Sequence, residues 1–337
     1  MAKCRVYLTT YRRNELLRRA LSSLLEQTFQ DWVCELHNDA PDDPFPGELV
    51  KELNDPRFIY RPHPQNYGPV KSFNLFFKPI SEPFFSILED DNWWEPRLLE
   101  RLMALLETSP EASLAWANMR YWKEQDDGTW EKTDRTVWDR EIYREPFVFK
   151  WADPKQVYQA LHSIGSMVVR TSSFTTRPVP ETLPFFAIDP ARERLYPGPL
   201  ILEPEVLANF ALTRQTARKT TITEDTQASI LLARSFLRHV NASDTYYAQV
   251  WKNAQGWPVR SSNTLVIASI LAGKLKFLFR HATMIDWLFF AASWVKRPLR
   301  MFRLMRSVSA YPEVSRFLDE RTAEICAVAA SPPRAVT

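Results

Sequence analysis

Short apolar runs alternate with amphipathic helical segments through the first part of this 337-residue chain. Four of the runs have the composition of buried strands: residues 5–9, 32–36, 58–60 and 84–88. Leucine and alanine recur at helical spacing from residue 16 to 25, and leucine does so again from 98 to 106. This alternation predicts an α/β fold in which a mostly parallel sheet is flanked by helices.

The remainder of the chain divides where the composition changes. Further strand-like runs lie at 114–122 and 163–170, and prolines are frequent from 175 to 204. From residue 223 onward the apolar pattern is helical. We therefore predict a catalytic and ligand-binding domain over 1–221, a helical C-terminal region over 222–325 and a flexible tail over 326–337.

Three acidic residues, Glu89, Asp90 and Asp91, follow directly after the apolar run at 84–88. In open α/β sheets, ligands bind outside the carboxyl ends of the strands, where this turn would lie. Mg²⁺ and Mn²⁺ bind carboxylate oxygens together with water and substrate phosphates. The stretch predicts a site for a metal ion and a diphosphate, with a solvated loop that caps the helix beginning near Glu95 as the alternative.

Composition argues against several classes of function. Lys and Arg number 43 and Asp and Glu 40, and the formal charge of +3 gives no support for nucleic acid as the main partner. Neither G-x-G-x-x-G nor G-x-x-x-x-G-K-[ST] occurs, so a dinucleotide fingerprint and a phosphate loop are both absent from the sequence. The three cysteines are far apart and no secretion signal is visible, which favours a cytoplasmic protein.

Residues 275–306 combine apolar side chains with lysine and arginine. Their longest apolar run is far shorter than the ~20 residues that span a bilayer. A basic amphipathic segment with Trp and Phe can lie in the interface of an anionic leaflet, which predicts peripheral membrane contact. The alternative is a helical subdomain that packs on the sheet and keeps its charges in water.

Five sequence blocks occur in one order: residues 8–11 (LTTY), 23–28 (SLLEQT), 31–35 (DWVCE), 66–68 (NYG) and 88–92 (LEDDN). Through them the stretch from residue 6 to about 214 resembles a family 2 glycosyltransferase, and among these the bacterial spore-coat polysaccharide type. The resemblance implies the Rossmann-like GT-A fold and an inverting reaction on a sugar nucleotide.

The resemblance also implies which residues bind the base of the donor. Thr9 and Tyr11 would line the base pocket, with the tyrosine ring against a pyrimidine. Asp39 would accept the ring N–H of uracil or thymine, a donor that cytosine lacks. Two positions depart from the family pattern: Arg12 stands where asparagine is common, and Asn38 replaces the first acid of an Asp-Asp pair.

On the phosphate side, the resemblance implies that Lys71 meets the diphosphate, that Asp90 binds the ribose or the sugar, and that Asp91 ligates Mg²⁺ or Mn²⁺. A solvated helix lysine is the alternative for Lys71. The family often has a histidine that contributes to the metal site near the end of the catalytic domain, where this chain has Thr213. The metal would then bind weakly or arrive with the donor.

Inverting transfer requires a base that takes the proton of the acceptor hydroxyl. Asp189 matches the base of the family in order and in approximate distance from the acidic turn. Asp225 resembles the second residue of the Glu-Asp pair of many relatives, although Thr223 and its neighbours also have the composition of a helix N-terminus. We predict Asp189 as the base, with Asp225 as the alternative.

The sequence thus predicts a metal-dependent glycosyltransferase that moves a sugar from a UDP- or dTDP-sugar to a hydroxyl of a polysaccharide, glycolipid or small metabolite. Two other functions stay open. A sugar nucleotidyltransferase uses a similar sheet and Mg²⁺, but its glycine-rich basic loop has no counterpart at residues 9–13. A catalytically silent scaffold that binds sugar nucleotides would not require the acids at positions 39, 90, 91 and 189.

Overall fold

The computed structural model describes residues 2–214, 221–255 and 261–330, which form two compact units. The first unit comprises residues 2–149, 162–178 and 198–214. The second comprises 150–161, 179–197, 221–255 and 261–330. Two segments that precede the predicted boundary after residue 221 therefore belong to the second unit. Residues 326–330 of the predicted tail continue the last helix, and 331–337 lie outside the described residues.

The described residues contain ten strands and thirteen α-helices. The strands are β1 (Cys4–Thr10), β2 (Trp32–Asn38), β3 (Phe58–Pro62), β4 (Phe84–Glu89), β5 (Trp93–Trp94), β6 (Leu114–Glu124), β7 (Trp130–Thr136), β8 (Phe147–Phe149), β9 (Met167–Arg170) and β10 (Leu200–Leu212). The helices are α1 (Asn14–Leu25), α2 (Phe45–Leu53), α3 (Gly68–Asn74), α4 (Leu98–Thr108), α5 (Ile188–Glu193), α6 (Ile222–His239), α7 (Asp244–Gln255), α8 (Ser261–Leu271), α9 (Leu275–His281), α10 (Met284–Lys296), α11 (Pro298–Met305), α12 (Ser307–Ala310) and α13 (Pro312–Ala330).

All ten strands belong to one sheet of the first unit, in which β3, β2, β1, β4, β9, β6, β10 and β5 are successive neighbours. The pairs among β3, β2, β1 and β4 are parallel. Antiparallel pairs begin at β9, which lies between β4 and β6. The α/β fold predicted from the alternation of runs is confirmed, and the antiparallel pairs all involve strands later in the chain than β4.

The register of the parallel strands brings three carboxyl ends together. Thr9 of β1 is level with His37 of β2 on one side and with Glu89 of β4 on the other. The segments that follow these three strands therefore leave the sheet side by side, at the edge where ligands bind in open α/β sheets.

The core of the first unit lies between this sheet and its helices. Helix α1 contributes Leu17 and Leu21, and α4 contributes Leu99 and Leu102, each at most 1% exposed. These residues belong to the two runs whose helical spacing predicted the helices. Burial of each such side chain stabilises the fold by roughly 1.5–3 kcal/mol, which fixes both helices against the strands.

The second unit is built mainly of helices around α6, which packs against α8 and α13. Helix α6 begins with a capping box, since the side chains of Thr221 and Glu224 each accept a hydrogen bond from the backbone N–H of the other. Its apolar face is buried in a cluster with α8 that includes Ile230, Phe236 and Val266. The C-terminal helical region is thus confirmed. Among the described helices, none has the length and apolar character needed to cross a membrane.

Candidate active site

Three of the acids predicted from the sequence, Asp39, Asp90 and Asp91, follow strands β2 and β4 at the carboxyl edge of the parallel strands. The backbone N–H of Asp39, just after β2, donates to the carbonyl of Thr10 at the end of β1 (2.9 Å). The N–H of Tyr11 donates to Oδ2 of Asp90, just after β4 (3.4 Å). The end of β1 and the residue that follows it are therefore hydrogen-bonded to an acid-bearing segment on either side.

Asp39 is held by three hydrogen bonds to its carboxylate and is only 5% exposed. Its Oδ1 accepts from the N–H of Tyr67 (2.7 Å) and from Nδ1 of His63 (2.8 Å), and Oδ2 accepts from the N–H of Gly68 (3.0 Å). Gly68 has a φ of 73°, a conformation that favours glycine. Because a carboxylate oxygen can accept two hydrogen bonds, Oδ2 keeps one acceptor position.

Lys71 and Tyr11 lie near the same edge. The ammonium of Lys71, in α3, lies 4.5 Å from the ring centre of Tyr67, whose amide binds Asp39. The side chain of Tyr11 is 42% exposed, and its ring carries the guanidinium of Arg12 at 5.7 Å. An exposed ring at a strand end is suited to stacking on a base, and the roles predicted for Thr9, Tyr11 and Lys71 stay predictions.

A chain of buried side chains leads from Asp39 into the protein. Nε2 of His63 lies 2.9 Å from Nδ1 of His37, and Nε2 of His37 lies 3.0 Å from Oε1 of Glu35. With the bond from His63 to Asp39, the two rings take part in three hydrogen bonds, and each bond needs one N–H. Two neutral imidazoles carry only two N–H groups between them. Burial lowers the pKa of His37, which favours the neutral form of this ring.

Glu35 closes this chain and is surrounded by positive groups. It accepts hydrogen bonds from Nη1 of Arg5 (2.7 Å) and from Nζ of Lys78 (2.9 Å). The hydrogen bond from His37, followed by the bond and charge of Lys78, lowers the pKa of Glu35 to about 2 against the opposing effect of burial. Glu35 is therefore an ionised anchor for the two histidines. Sequence reasoning missed these histidines, although both lie at the ends of predicted strands.

Asp90 and Asp91 share the guanidinium of Arg13. Nη1 of Arg13 pairs with Oδ2 of Asp91 and lies 3.6 Å from Oδ1 of Asp90. Burial, followed by repulsion from Asp91, raises the pKa of Asp90 to about 7. A second guanidinium, that of Arg19, donates to the backbone carbonyl of Asp91 (3.0 Å), so two arginines lie beside the two carboxylates of this turn.

The residues of the acidic turn fit a divalent ion only in part. The described ranges contain no group of three or more His, Cys, Asp or Glu side chains that could hold a metal ion. Asp91, with Asp90 beside it, fits an ion that completes its ligands with water and the diphosphate of a donor, as Mg²⁺ commonly does. Arg13 would have to release Asp91 for such an ion to bind. Sequence reasoning did not identify Arg13, whose position just after β1 was the available signal.

Glu89 ties the acidic turn to the turn before β9. Its Oε2 accepts hydrogen bonds from Nδ2 of Asn92 (2.7 Å) and from the hydroxyl of Ser163 (2.8 Å). A Cβ atom on Gly165 would overlap this same oxygen, so a larger residue there would have to displace the side chain of Glu89. The carbonyl of Gly165 also accepts from Nε1 of Trp94 (2.7 Å). The loop that carries Asp90 and Asp91 is therefore fixed on two sides.

Both candidate bases belong to the second unit. Asp189 lies in the first turn of α5, and Glu193 in the same helix accepts hydrogen bonds from the amides of Ala160 (2.8 Å) and Leu161 (3.0 Å). Asp225 lies in the first turn of α6, so the helix N-terminus that the sequence offered as its alternative role is present. The role of base stays a prediction for Asp189, with Asp225 as the alternative.

Solved glycosyltransferase structures share this fold. TarS of S. aureus, residues 1–349 in complex with UDP-GlcNAc, matches with a TM-score of 0.59 at 11% identity, covering 97% of this chain and 90% of that one. A longer TarS structure gives a TM-score of 0.57 at 14% identity, covering 94% and 55%. The mannosyltransferase PcManGT of Pyrobaculum calidifontis, in complex with GDP-Man and Mn²⁺, gives 0.52 at 13% identity, covering 98% and 88%.

The fold is therefore GT-A, and with the acidic edge of its sheet it defines a glycosyltransferase that uses nucleotide-sugar donors. The family model described as "Glycosyl transferase family 2" matches residues 6–169. This stretch of the chain belongs to glycosyltransferase family 2, as the five sequence blocks predicted. The narrower resemblance to the spore-coat type stays a prediction, and no match is found among the curated proteins.

Proposed function

We propose that this glycosyltransferase is inverting and metal-dependent and transfers a sugar from a UDP- or dTDP-sugar to an acceptor hydroxyl. The observation that supports this most is the placement of Asp39 and Asp90 on either side of the segment after β1, through hydrogen bonds of 2.9 and 3.4 Å. A nucleoside diphosphate sugar needs a hydrogen-bond acceptor for its base, a carboxylate for its ribose hydroxyls and cations for its phosphates. All three have to lie within the length of one donor molecule.

Recognition of a pyrimidine base is proposed for Asp39. Its Oδ2 keeps one acceptor position, and an acceptor there suits the ring N–H of uracil or thymine but not cytosine, which has none. TarS has been crystallised with UDP and with UDP-GlcNAc, which supports a uracil donor. PcManGT was crystallised with GDP-Man, so guanine is the competing base to test.

A divalent ion is proposed at Asp91, and the Mn²⁺ in the PcManGT complex supports it. When bound, the ion would supply positive charge to the departing diphosphate. Lys71 and Arg13 are the cationic side chains of this edge that would share that charge. Asp90, whose pKa burial and Asp91 raise to about 7, would pair with the ribose or sugar hydroxyls of the donor.

Transfer with inversion is an in-line displacement. The acceptor oxygen forms a bond to the anomeric carbon while the bond from that carbon to the diphosphate oxygen breaks, and the electron pair leaves with the diphosphate. The proton of the acceptor hydroxyl passes to a carboxylate, for which we propose Asp189, with Asp225 as the alternative. The acceptor is proposed to be a polysaccharide, a glycolipid or a small metabolite.

A cytoplasmic location is part of the proposal. All three cysteines, Cys4, Cys34 and Cys326, are free thiols, and the first two are buried. Burial raises the pKa of Cys4 and Cys34, which makes both thiols unreactive. Unpaired cysteines are typical of proteins from reducing compartments.

The donor assignment can be tested by thermal shift with UDP, dTDP and GDP, each with and without Mn²⁺. We expect UDP or dTDP to raise the melting temperature more with Mn²⁺ than without it, because the ion and the diphosphate bind together. Asp39→Asn should remove the preference for uracil or thymine. The amide N–H of the asparagine would face the ring N–H of the base, and two donors cannot form a hydrogen bond. Asp42→Asn, at an exposed position nearby, is the matched control.

Stabilisation by GDP alone would overturn the role given to Asp39. Release of nucleoside diphosphate from a panel of UDP- and dTDP-sugars with Mn²⁺ is the matching activity assay. If the donor binds but no diphosphate is released with any acceptor or with water, the protein is a sugar-nucleotide-binding scaffold and the proposed reaction is wrong.

A further inference from the structure

Helix α10 exposes an unbroken apolar face. At 3.6 residues per turn, six side chains fall within an arc of about 120° on this helix. All six are exposed: Met284, Ile285, Leu288, Ala291, Ala292 and Val295. The exposed fraction is 77% for Ile285, 64% for Leu288 and 84% for Val295. An amphipathic helix of a water-soluble unit normally turns such a face toward its core, and α10 turns this one outward.

The two helices next to α10 in the chain also expose apolar side chains. Phe279 of α9 is 70% exposed and stacks on the ring of Trp287 in α10, with ring centres 5.6 Å apart. Leu299 and Phe302 of α11 are 78% and 53% exposed. We call the exposed apolar residues of α9, α10 and α11 the apolar face below. It is larger than the single exposed leucines that any protein surface carries.

Basic residues flank the apolar face along the chain. Residues 274–306 contain eight lysines and arginines: Lys274, Lys276, Arg280, Lys296, Arg297, Arg300, Arg303 and Arg306. The same stretch contains one acid, Asp286, which is buried and caps the N-terminus of α10 by bonding to Thr283. Arg280 is paired with Asp244 of α7. The charge that the stretch presents to solvent is therefore strongly positive.

We propose that the apolar face of α9, α10 and α11 binds the surface of an anionic membrane, with its apolar side chains among the lipid tails and its basic side chains at the headgroups. Basic amphipathic helices with Phe, Leu and Ile on one side lie in the membrane interface in this way. Each lysine or arginine near an anionic leaflet adds electrostatic attraction to that leaflet. Because none of the described helices can span a bilayer, the contact is peripheral.

The charge pattern favours a lipid surface over a second copy of this chain. In a dimer formed through this face, two basic surfaces would meet, and like charges across an interface oppose association. An anionic leaflet supplies both the apolar phase and the negative charge that this face lacks. The inference does not rest on the proposed donor or base, since it concerns helices of the second unit alone.

Vesicle co-sedimentation of the full chain tests the proposal. The probes are vesicles of phosphatidylcholine alone and of phosphatidylcholine with phosphatidylglycerol, at low and high salt. We expect binding to the anionic vesicles, weaker binding at high salt, and little binding to the neutral ones. The double variant Ile285→Glu with Leu288→Glu should bind at least tenfold more weakly, because it places two carboxylates in the face that would enter the lipid.

The control is Ile222→Glu, at a residue of the same unit that is also 70% exposed but lies outside the apolar face. It should bind vesicles like the wild type. Circular dichroism melting checks that each variant folds, and Leu288→Ser replaces the double variant if that one does not. Absence of binding to anionic vesicles would overturn the proposal. A double variant that binds anionic vesicles normally would also overturn it. So would a double variant that differs from the wild type only by losing a dimer seen without lipid in size-exclusion chromatography, because the face would then be a dimer interface.

Discussion

The carboxylate of Asp39 is oriented before any base binds. The amides of Tyr67 and Gly68 and the ring of His63 hold it at 2.7–3.0 Å, so it cannot turn when a donor arrives. The entropy cost of fixing this side chain is therefore met when the protein folds and not when the donor binds. More of the interaction energy then contributes to affinity. His63 is a positioning residue, since it acts on the base through Asp39.

His63→Ala should weaken the binding of UDP about tenfold, because a hydrogen bond to a charged group contributes roughly 1.5–3 kcal/mol and Asp39 would lose part of its orientation. Isothermal titration calorimetry with UDP measures this. His162→Ala, at another histidine of the first unit that makes no bond to Asp39, is the control and should bind UDP normally. Unchanged affinity in His63→Ala would show that the two backbone amides suffice to hold Asp39.

Glu35 predicts a pH dependence of stability. The hydrogen bond from His37, followed by the bond and charge of Lys78, lowers its pKa from 4.5 to about 2, so the carboxylate is more acidic in the folded than in the unfolded chain. The contribution, about 3 kcal/mol at 1.36 kcal/mol per pKa unit, is present above pH 4.5 and is lost as the pH falls through about 2.

Urea unfolding of the wild type and of Glu35→Gln at pH 7 and at pH 3 checks this sign. We expect the variant to be less stable at pH 7, with a smaller difference between the two proteins at pH 3, where the carboxylate of the unfolded wild type has bound a proton. A difference that stays constant or grows on acidification would contradict the prediction.

At the level of elements, the acidic turn after β4 is fixed by the turn before β9. The contact depends on the missing side chain of Gly165, because a Cβ atom there would overlap Oε2 of Glu89. Gly165→Ala should therefore displace Glu89 from Asn92 and Ser163 and lower the free energy of unfolding by about 1–3 kcal/mol. Thermal or urea unfolding measures the loss.

Shortening Glu89 provides the internal control for that prediction. In the double variant Gly165→Ala with Glu89→Ala the overlap is gone. The double variant should therefore lose less stability than the sum of the losses measured for the two single variants. Strict additivity would mean that the alanine at 165 does not meet Glu89.

For the molecule as a whole, sugar transfer requires donor binding and proton removal, and variants can separate the two. Asp189→Asn should reduce transfer by a factor of about 10²–10⁴, the usual contribution of a general base, while UDP affinity stays unchanged. Asp225→Asn should keep most of the activity. Initial rates with a fixed donor and calorimetric UDP binding measure both effects, and the opposite pattern would move the base to Asp225.

The local pattern of the sequence was sufficient to predict the parallel part of the sheet, the helices α1 and α4 and the acids at its edge. Leu17, Leu21 and Leu99 recur with the period of a helix, and the runs before Asp39 and Asp90 have the composition of buried strands. These signals depend on neighbours a few residues apart. Strand ends in a parallel sheet share one edge, so the acids that follow β2 and β4 were expected at the same edge, and the strand order then placed only β1 between them.

Other features depend on residues far apart in the chain and were decided by tertiary structure. The chain from Asp39 through His63 and His37 to Glu35 forms only when β2 and β3 are paired, and the pairing of Arg13 with Asp91 joins segments 78 residues apart. The exposure of the apolar face of α10 was also decided by tertiary structure. Its spacing marks an amphipathic helix, but whether that face meets a core or solvent is set by how the helices of the second unit pack.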